Sequence, residues 1–129
     1  MLKVLTNTGL ALVALAAVAT SASGQMQPQM AAAEDVEIQA QVVDMSCKLV
    51  YNLSGDMHRE CAEVCADKGI PLGLLTADGT FFLPVSAAMP GTGSNAQLRP
   101  YAEQTVKVKG KRVNRAGMNS IIIESISAS

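Results

Sequence analysis

The residues of this chain best suited to chemistry are three cysteines and one histidine that share one short segment. They are Cys47, His58, Cys61 and Cys65, and they include every cysteine and the only histidine of the 129 residues. Thiolates and a neutral imidazole are the usual ligands of zinc and copper sites. The segment therefore predicts a site for a transition metal, Cu(I) or Zn(II), that serves either metal handling or structure.

A helix predicted over residues 58–68 positions three of these four side chains. Residues three and four apart on a helix lie on the same face. His58, Cys61 and Cys65 stand at i, i+3 and i+7, so we expect them to form one stripe. Cys47 is expected to approach this stripe from the end of the first strand.

The residues that flank this helix predict where it begins and ends. Asp56 is placed to cap its amino end, and Glu60 adds negative charge to its first turn. Gly69 stands where a helix commonly ends in the left-handed conformation, and Pro71 prevents the helix from continuing.

The same cysteines also allow two interpretations without a metal. In an oxidising compartment, Cys47 could form a disulfide with Cys61 or Cys65, and closing such a loop stabilises a small domain by about 3 kcal/mol. Cys61 and Cys65 are poor partners for each other because they lie one helical turn apart. The alternatives are therefore a disulfide-stapled, non-enzymatic interaction module and a thiol redox protein. Enzymatic activity is left undecided, and no catalytic residue is assigned.

Two further metal interpretations depend on neighbouring residues. The thioethers of Met45 and Met57 could add soft ligands for Cu(I), although packing in the core is the more common role of methionine. His58 could also present its imidazole to a haem iron, but the chain has no Cys-x-x-Cys-His attachment motif. The expected cofactor is therefore copper or zinc, or none.

The first 24 residues predict a secretory signal peptide. An apolar run from Leu10 to Ala19 follows Lys3, and the small residues Ala22, Ser23 and Gly24 suit a signal peptidase. The run is shorter than the roughly 20 residues that a membrane-spanning helix needs. We expect a periplasmic or secreted protein without a membrane span after cleavage. Its expected partners are a metal ion and a periplasmic protein.

The rest of the chain predicts a flexible linker and one small domain. Residues 25–35 are rich in Gln, Met and Ala and are predicted to form the linker. Residues 36–43 and 105–113 alternate apolar and polar side chains, as half-buried strands do. Further strands are expected at 72–76, 80–85 and 120–126, and a short helix or turn at 97–102. The strands and the helix at 58–68 predict a mainly β domain over 36–126, a small five-stranded OB-like barrel with one inserted α-helix after the first strand.

Several segments of the domain resemble those of uncharacterised exported bacterial proteins with an OB-like fold and a Cys/His helix. They are VVD at 42–44 leading to Cys47, HRECAEVC at 58–65, GIPLGLL at 69–75 and VKVKG at 106–110. The resemblance implies a periplasmic OB-like barrel and carries no established activity. The chain departs from the usual OB pattern because its main helix follows the first strand rather than a later one.

A basic stripe in the predicted strand 105–113 raises the question of nucleic-acid binding. It consists of Lys107, Lys109, Lys111 and Arg112, in a chain whose formal net charge is −1. Proteins that bind single strands combine such charges with stacking aromatic side chains, and this chain has two Tyr, two Phe and no Trp. Lysines at alternate positions are typical of the solvated face of a strand. We therefore expect no nucleic-acid partner.

Overall fold

The strands that period-two alternation predicts are all present in the computed structural model, which describes residues 29–129. The five strands are β1 (Ala33–Asp44), β2 (Leu72–Thr76), β3 (Phe81–Pro84), β4 (Thr105–Arg115) and β5 (Met118–Ala128). The three α-helices are α1 (Met45–Tyr51), α2 (Arg59–Asp67) and α3 (Asn95–Leu98). Two 3-10 turns cover Asp56–His58 and Arg99–Tyr101. The predicted signal peptide and the first residues of the predicted linker lie outside the described residues.

The strands close into a barrel in the order β1-β2-β3-β5-β4, and β4 pairs back with β1. Only β3 and β5 run parallel, and the other neighbours are antiparallel. Strand β1 pairs with two neighbours along different parts of its length. It pairs with β4 as far as Gln41 and with β2 from Ala40 onward. The predicted mainly β, five-stranded OB-like barrel is confirmed.

Branched aliphatic side chains fill the barrel. Val42, Leu74, Val106, Val108 and Ile121 are fully buried members of one core cluster. Each such side chain contributes about 1.5–3 kcal/mol when it leaves water, so this cluster supplies the main stabilisation of the domain. None of the three cysteines belongs to it.

Strand β4 bends at Gly110, where its register with β5 shifts. A Cβ atom at this position would collide with the carbonyl oxygen of Ile122. A bulge of this kind bends a strand and increases its twist, which closure of a small barrel requires.

The barrel begins three residues earlier than the sequence predicted. Strand β1 starts at Ala33, within the region expected to be a linker, because β4 is long enough to pair with it. Acidic residues of β1 face basic residues of β4 here: Glu34 pairs with Arg112 and Asp35 with Lys111, both at 2.5 Å. Part of the basic stripe therefore forms exposed ion pairs across two strands.

The inserted helix predicted after the first strand is confirmed as α2, and the shorter helix α1 precedes it. Helix α1 was not predicted, because its seven residues bury none of their side chains and show no amphipathic pattern. Cys47 lies on α1, three residues beyond the end of β1, and approaches the other cysteines from there. None of the helices in residues 29–129 is long and apolar enough to cross a membrane.

Candidate metal centre

Helix α1 positions Cys47 because both of its ends are fixed. At the amino end, Asp44 is the N-cap, and its Oδ1 accepts a hydrogen bond of 2.9 Å from the backbone N–H of Cys47. At the other end, Asn52 adopts the left-handed conformation, and its N–H bonds the carbonyl of Lys48 at 3.0 Å. The first N–H of the helix, from Met45, also bonds a carbonyl just before β2. Cys47 therefore sits on a short but anchored helix.

Helix α2 carries the other two cysteines. Ala62 and Ala66 are buried, while Cys61 is exposed and Cys65 is half-buried. These small residues let the helix pack closely against the barrel at β1. Cys61 and Cys65 lie one turn apart on a neighbouring face, which is the face that meets Cys47.

The end of α2 is closed as the sequence predicted. Gly69 has a φ of 89°, and the N–H of Ile70 bonds the carbonyl of Cys65 at 3.0 Å. This left-handed ending is the one expected at Gly69.

The side chain of Asn95 ties this end of α2 to the barrel. Its amide N–H groups donate to the carbonyls of Ala66 at 3.0 Å and Ile70 at 2.8 Å. Its Oδ1 accepts from the N–H of Leu72, the first residue of β2, at 3.0 Å. Three hydrogen bonds from one side chain thus hold the helix that carries Cys61 and Cys65.

These two helices bring the three cysteines together. The Sγ atoms of Cys47, Cys61 and Cys65 all lie within 4.8 Å of one another, and all three are free thiols. In a tetrahedral zinc site with Zn–S bonds of about 2.3 Å, the sulfur atoms stand about 3.8 Å apart. A contraction of at most about 1 Å would therefore bring three thiolates into coordination distance of one ion.

A buried carboxylate borders this group. Asp44 is 0% exposed, and it raises the pKa of two of the thiols. For Cys65, a hydrogen bond to the Asp44 carboxylate, burial and the negative charge of Asp44 raise the pKa to about 12. For Cys47, burial, the charge of Asp44 and the nearby Cys61 raise the pKa above its ordinary value. Both thiols are therefore protonated at neutral pH in the absence of a metal.

The structure does not bring His58 into the group of cysteines. His58 lies in the 3-10 turn before α2, where three residues rather than 3.6 make a turn, so its side chain leaves the expected stripe. Its Nδ1 lies 2.9 Å from Oε1 of Glu103, and both residues are buried. Oε2 of the same carboxylate accepts from the N–H of Gly55 at 2.7 Å and from Gln41 at 3.2 Å. His58 thus holds the segment before α2 against β1, and its role as a ligand stays a prediction.

The expected cap of α2 is also different. Asp56 makes no capping hydrogen bond to α2, because it opens the 3-10 turn instead. Its carboxylate lies 3.5 Å from Arg59 in an exposed ion pair. A pair of this kind contributes little to stability.

The two methionines near the cysteines lie in different surroundings. The side chain of Met57 is 100% exposed. Met45 is half-buried, and its Cγ lies close to Gly73 of β2. Packing against the barrel therefore accounts for Met45.

The sequence patterns did not identify two residues of the site region, Asp44 and Glu103. Asp44 could have been found, because an Asp three residues before Cys47 has the spacing of a helix cap. Glu103 gives no local signal: it lies 45 residues from His58, and only the closed barrel brings the two together.

Helices α1 and α2 thus assemble a three-thiol group with a buried carboxylate beside it. Comparison of the chain with models of protein families, with curated proteins and with solved structures gives no match. The function must therefore be argued from this geometry.

Proposed function

We propose that this protein binds one soft or borderline transition-metal ion, Cu(I) or Zn(II), through the thiolates of Cys47, Cys61 and Cys65. The observation that carries the proposal is the approach of the three Sγ atoms to within 4.8 Å of one another. Thiolate ligands select these ions over the hard cations Mg²⁺ and Ca²⁺. Two separate helices supply the ligands, and each is anchored by hydrogen bonds to the barrel, so binding needs little reorganisation.

The surroundings of the site favour metal handling over a purely structural ion. Cys61 is exposed, so a metal at the site would be accessible from solvent. Large apolar side chains on the same insertion are also exposed: Leu49, Val50, Tyr51, Leu53, Met57 and Val64. Four of these side chains lie within residues 49–53 of the chain, and a group of exposed apolar side chains is typical of surfaces that bind other proteins. We propose a protein partner that docks beside the cysteines, and export to the periplasm stays a prediction.

Metal titration of the reduced protein tests the proposal. Co(II) is a useful probe because its sulfur-to-metal charge-transfer band reports thiolate ligands, and competition with chelators then gives the Zn(II) and Cu(I) affinities. We expect one ion per chain. Replacing any one of the cysteines by serine should weaken metal binding by at least about tenfold, as in Cys47→Ser, Cys61→Ser and Cys65→Ser. About tenfold is the effect typical for loss of a supporting contact, and loss of a ligand should lower the affinity further.

Met57→Leu is the matched control, since it changes a soft donor that is fully exposed and should leave the affinity unchanged. His58→Ala tests the remaining prediction from the sequence, because an altered Co(II) spectrum in this variant would identify the imidazole as a ligand. A thiol count on the denatured, unreduced protein decides the rival interpretation. One free thiol per chain and no metal binding after reduction would refute the proposal and favour the disulfide-stapled module.

A further inference from the structure

The carboxylate of Asp44 lacks the partners that a buried charge needs. The residue is 0% exposed, and among residues 29–129 no ion pair involves it. Oδ1 is satisfied because it caps α1. Oδ2 is buried and has no well-formed hydrogen bond within the described part of the chain.

The thiols of Cys47 and Cys65 offer protons to the carboxylate of Asp44, and a thiol is a weak donor. An anion buried without a counter-charge is costly, so buried charges are normally paired or bound to a metal. Oδ2 of Asp44 is therefore an unpartnered buried oxygen on a residue next to three thiols that can hold a metal ion.

We propose that Oδ2 of Asp44 is the fourth ligand of the metal and that the resulting Cys3Asp set selects Zn(II) over Cu(I). This inference rests on the proposed metal-binding function of the same cysteines. It deepens that function in two ways, since it adds a ligand from the end of β1 and identifies the ion.

The chemistry of the two ions differs at this ligand. Zn(II) is normally four-coordinate and accepts carboxylate oxygen at about 2.0–2.2 Å together with thiolates. Cu(I) is soft, and a carboxylate beside three thiolates offers it a poorly matched ligand. Cu(I) would also leave the site, with its buried Asp44 carboxylate, one unit of charge more negative than Zn(II) would, because the protein ligands are the same.

The carboxylate of Asp44 lies outside the group of Sγ atoms that are within 4.8 Å of one another, so Oδ2 would have to move toward the ion on binding, but the carboxylate is already oriented. The hydrogen bond from Cys47 N–H to Oδ1 fixes the carboxylate plane and leaves Oδ2 as the free oxygen. Contacts of this kind orient ligands in metal sites. A cap for α1 alone would need only one oxygen, and Ser, Thr or Asn would serve as well.

Asp44→Asn is the sharpest test. Asparagine has nearly the same size, and its amide oxygen still caps α1, but it lacks the anionic oxygen. We expect the dissociation constant for Zn(II) to rise by about 10- to 1,000-fold, a range that extends from the loss of a supporting group to the loss of a ligand. The affinity of the variant for Cu(I) should be at least as high as that of the wild type. Asp56→Asn is the control, because it removes an exposed carboxylate of the same insertion and should change neither affinity.

X-ray absorption at the zinc edge reports the ligand set directly. The wild type should show three sulfur ligands and one oxygen ligand, and Asp44→Asn should alter the oxygen shell. If Asp44→Asn does not fold, Asp44→Ser keeps a capping hydroxyl and serves in its place. Circular dichroism confirms folding in either case.

The outcomes separate the two proposals. If the reduced wild type binds neither Zn(II) nor Cu(I) through its thiolates, the metal-binding function fails. If the wild type binds Zn(II) and Asp44→Asn binds it equally well, only the role of Asp44 is overturned. An equal loss of Zn(II) and Cu(I) affinity in Asp44→Asn would also overturn the claim of selectivity.

Discussion

Metal binding at the three cysteines should depend steeply on pH, because two of the thiols must lose protons that the free protein holds tightly. The pKa of Cys65 is raised to about 12, and that of Cys47 is raised above its ordinary value. Below a raised pKa the thiol stays protonated, so every ion that binds must displace its proton. Each displaced proton changes the apparent affinity about tenfold per pH unit, and two protons change it about 100-fold. Between pH 6 and pH 8 the affinity should therefore rise by at least about 10,000-fold from these two thiols.

Competition with a chromophoric chelator at pH 6, 7 and 8 measures this slope, once the chelator's own protonation has been subtracted. Calorimetry in buffers of different ionisation enthalpy counts the released protons independently. The variant Cys65→Ser removes one titrating ligand, so its slope should be about tenfold per pH unit smaller than that of the wild type. A wild-type slope of about tenfold per pH unit or less would refute the reasoning, because it would mean that the ion displaces at most one thiol proton.

Two predictions concern the scaffold that holds the site. Glu103→Ala should lower the free energy of unfolding, measured by urea denaturation, by about 3 kcal/mol. The reason is that it leaves His58 and the N–H of Gly55 buried without their acceptor. A loss below about 1 kcal/mol would contradict the role of this carboxylate. Gly110→Ala should cost about 1–3 kcal/mol or more because its Cβ would meet a backbone carbonyl, whereas Gly93→Ala, with open space around it, should be nearly neutral in the same assay.

The barrel could be predicted because its signals are local and repeated. Residues 36–43 and 105–113 alternate with period two, and the structure places them in β1 and β4, which are neighbours in the barrel. The strands expected at 72–76 and 80–85 are β2 and β3, and the turn that joins them has Gly79 at a φ of 86°. Strand ends were less accurate, because pairing with a long neighbour extends β1 to Ala33 beyond its own alternation.

The site was predicted only where its residues are related by local spacing along the chain. Cys61 and Cys65 share a face because both lie within α2, where the spacing of residues determines direction. His58 lies only three residues before Cys61, but the chain is a 3-10 turn at that point, and the local pattern does not distinguish the two kinds of turn. Glu103, which decides where the imidazole points, comes from the segment just before β4. A partner so distant in sequence can be identified only from the closed barrel.

The separation of the barrel core from the cysteines bears on what a metal would do here. The core cluster consists of residues from the strands together with Ala66 and Leu98, and the barrel closes through strand pairing alone. A metal bound by Cys47, Cys61 and Cys65 would therefore join α1 to α2 on the outside of a domain that already has its own core. In small zinc domains that fold only with their ion, the metal replaces a missing core. Since this domain has a core of its own, we infer that the barrel does not depend on an ion for its stability, which fits the proposed handling of metal better than a purely structural ion.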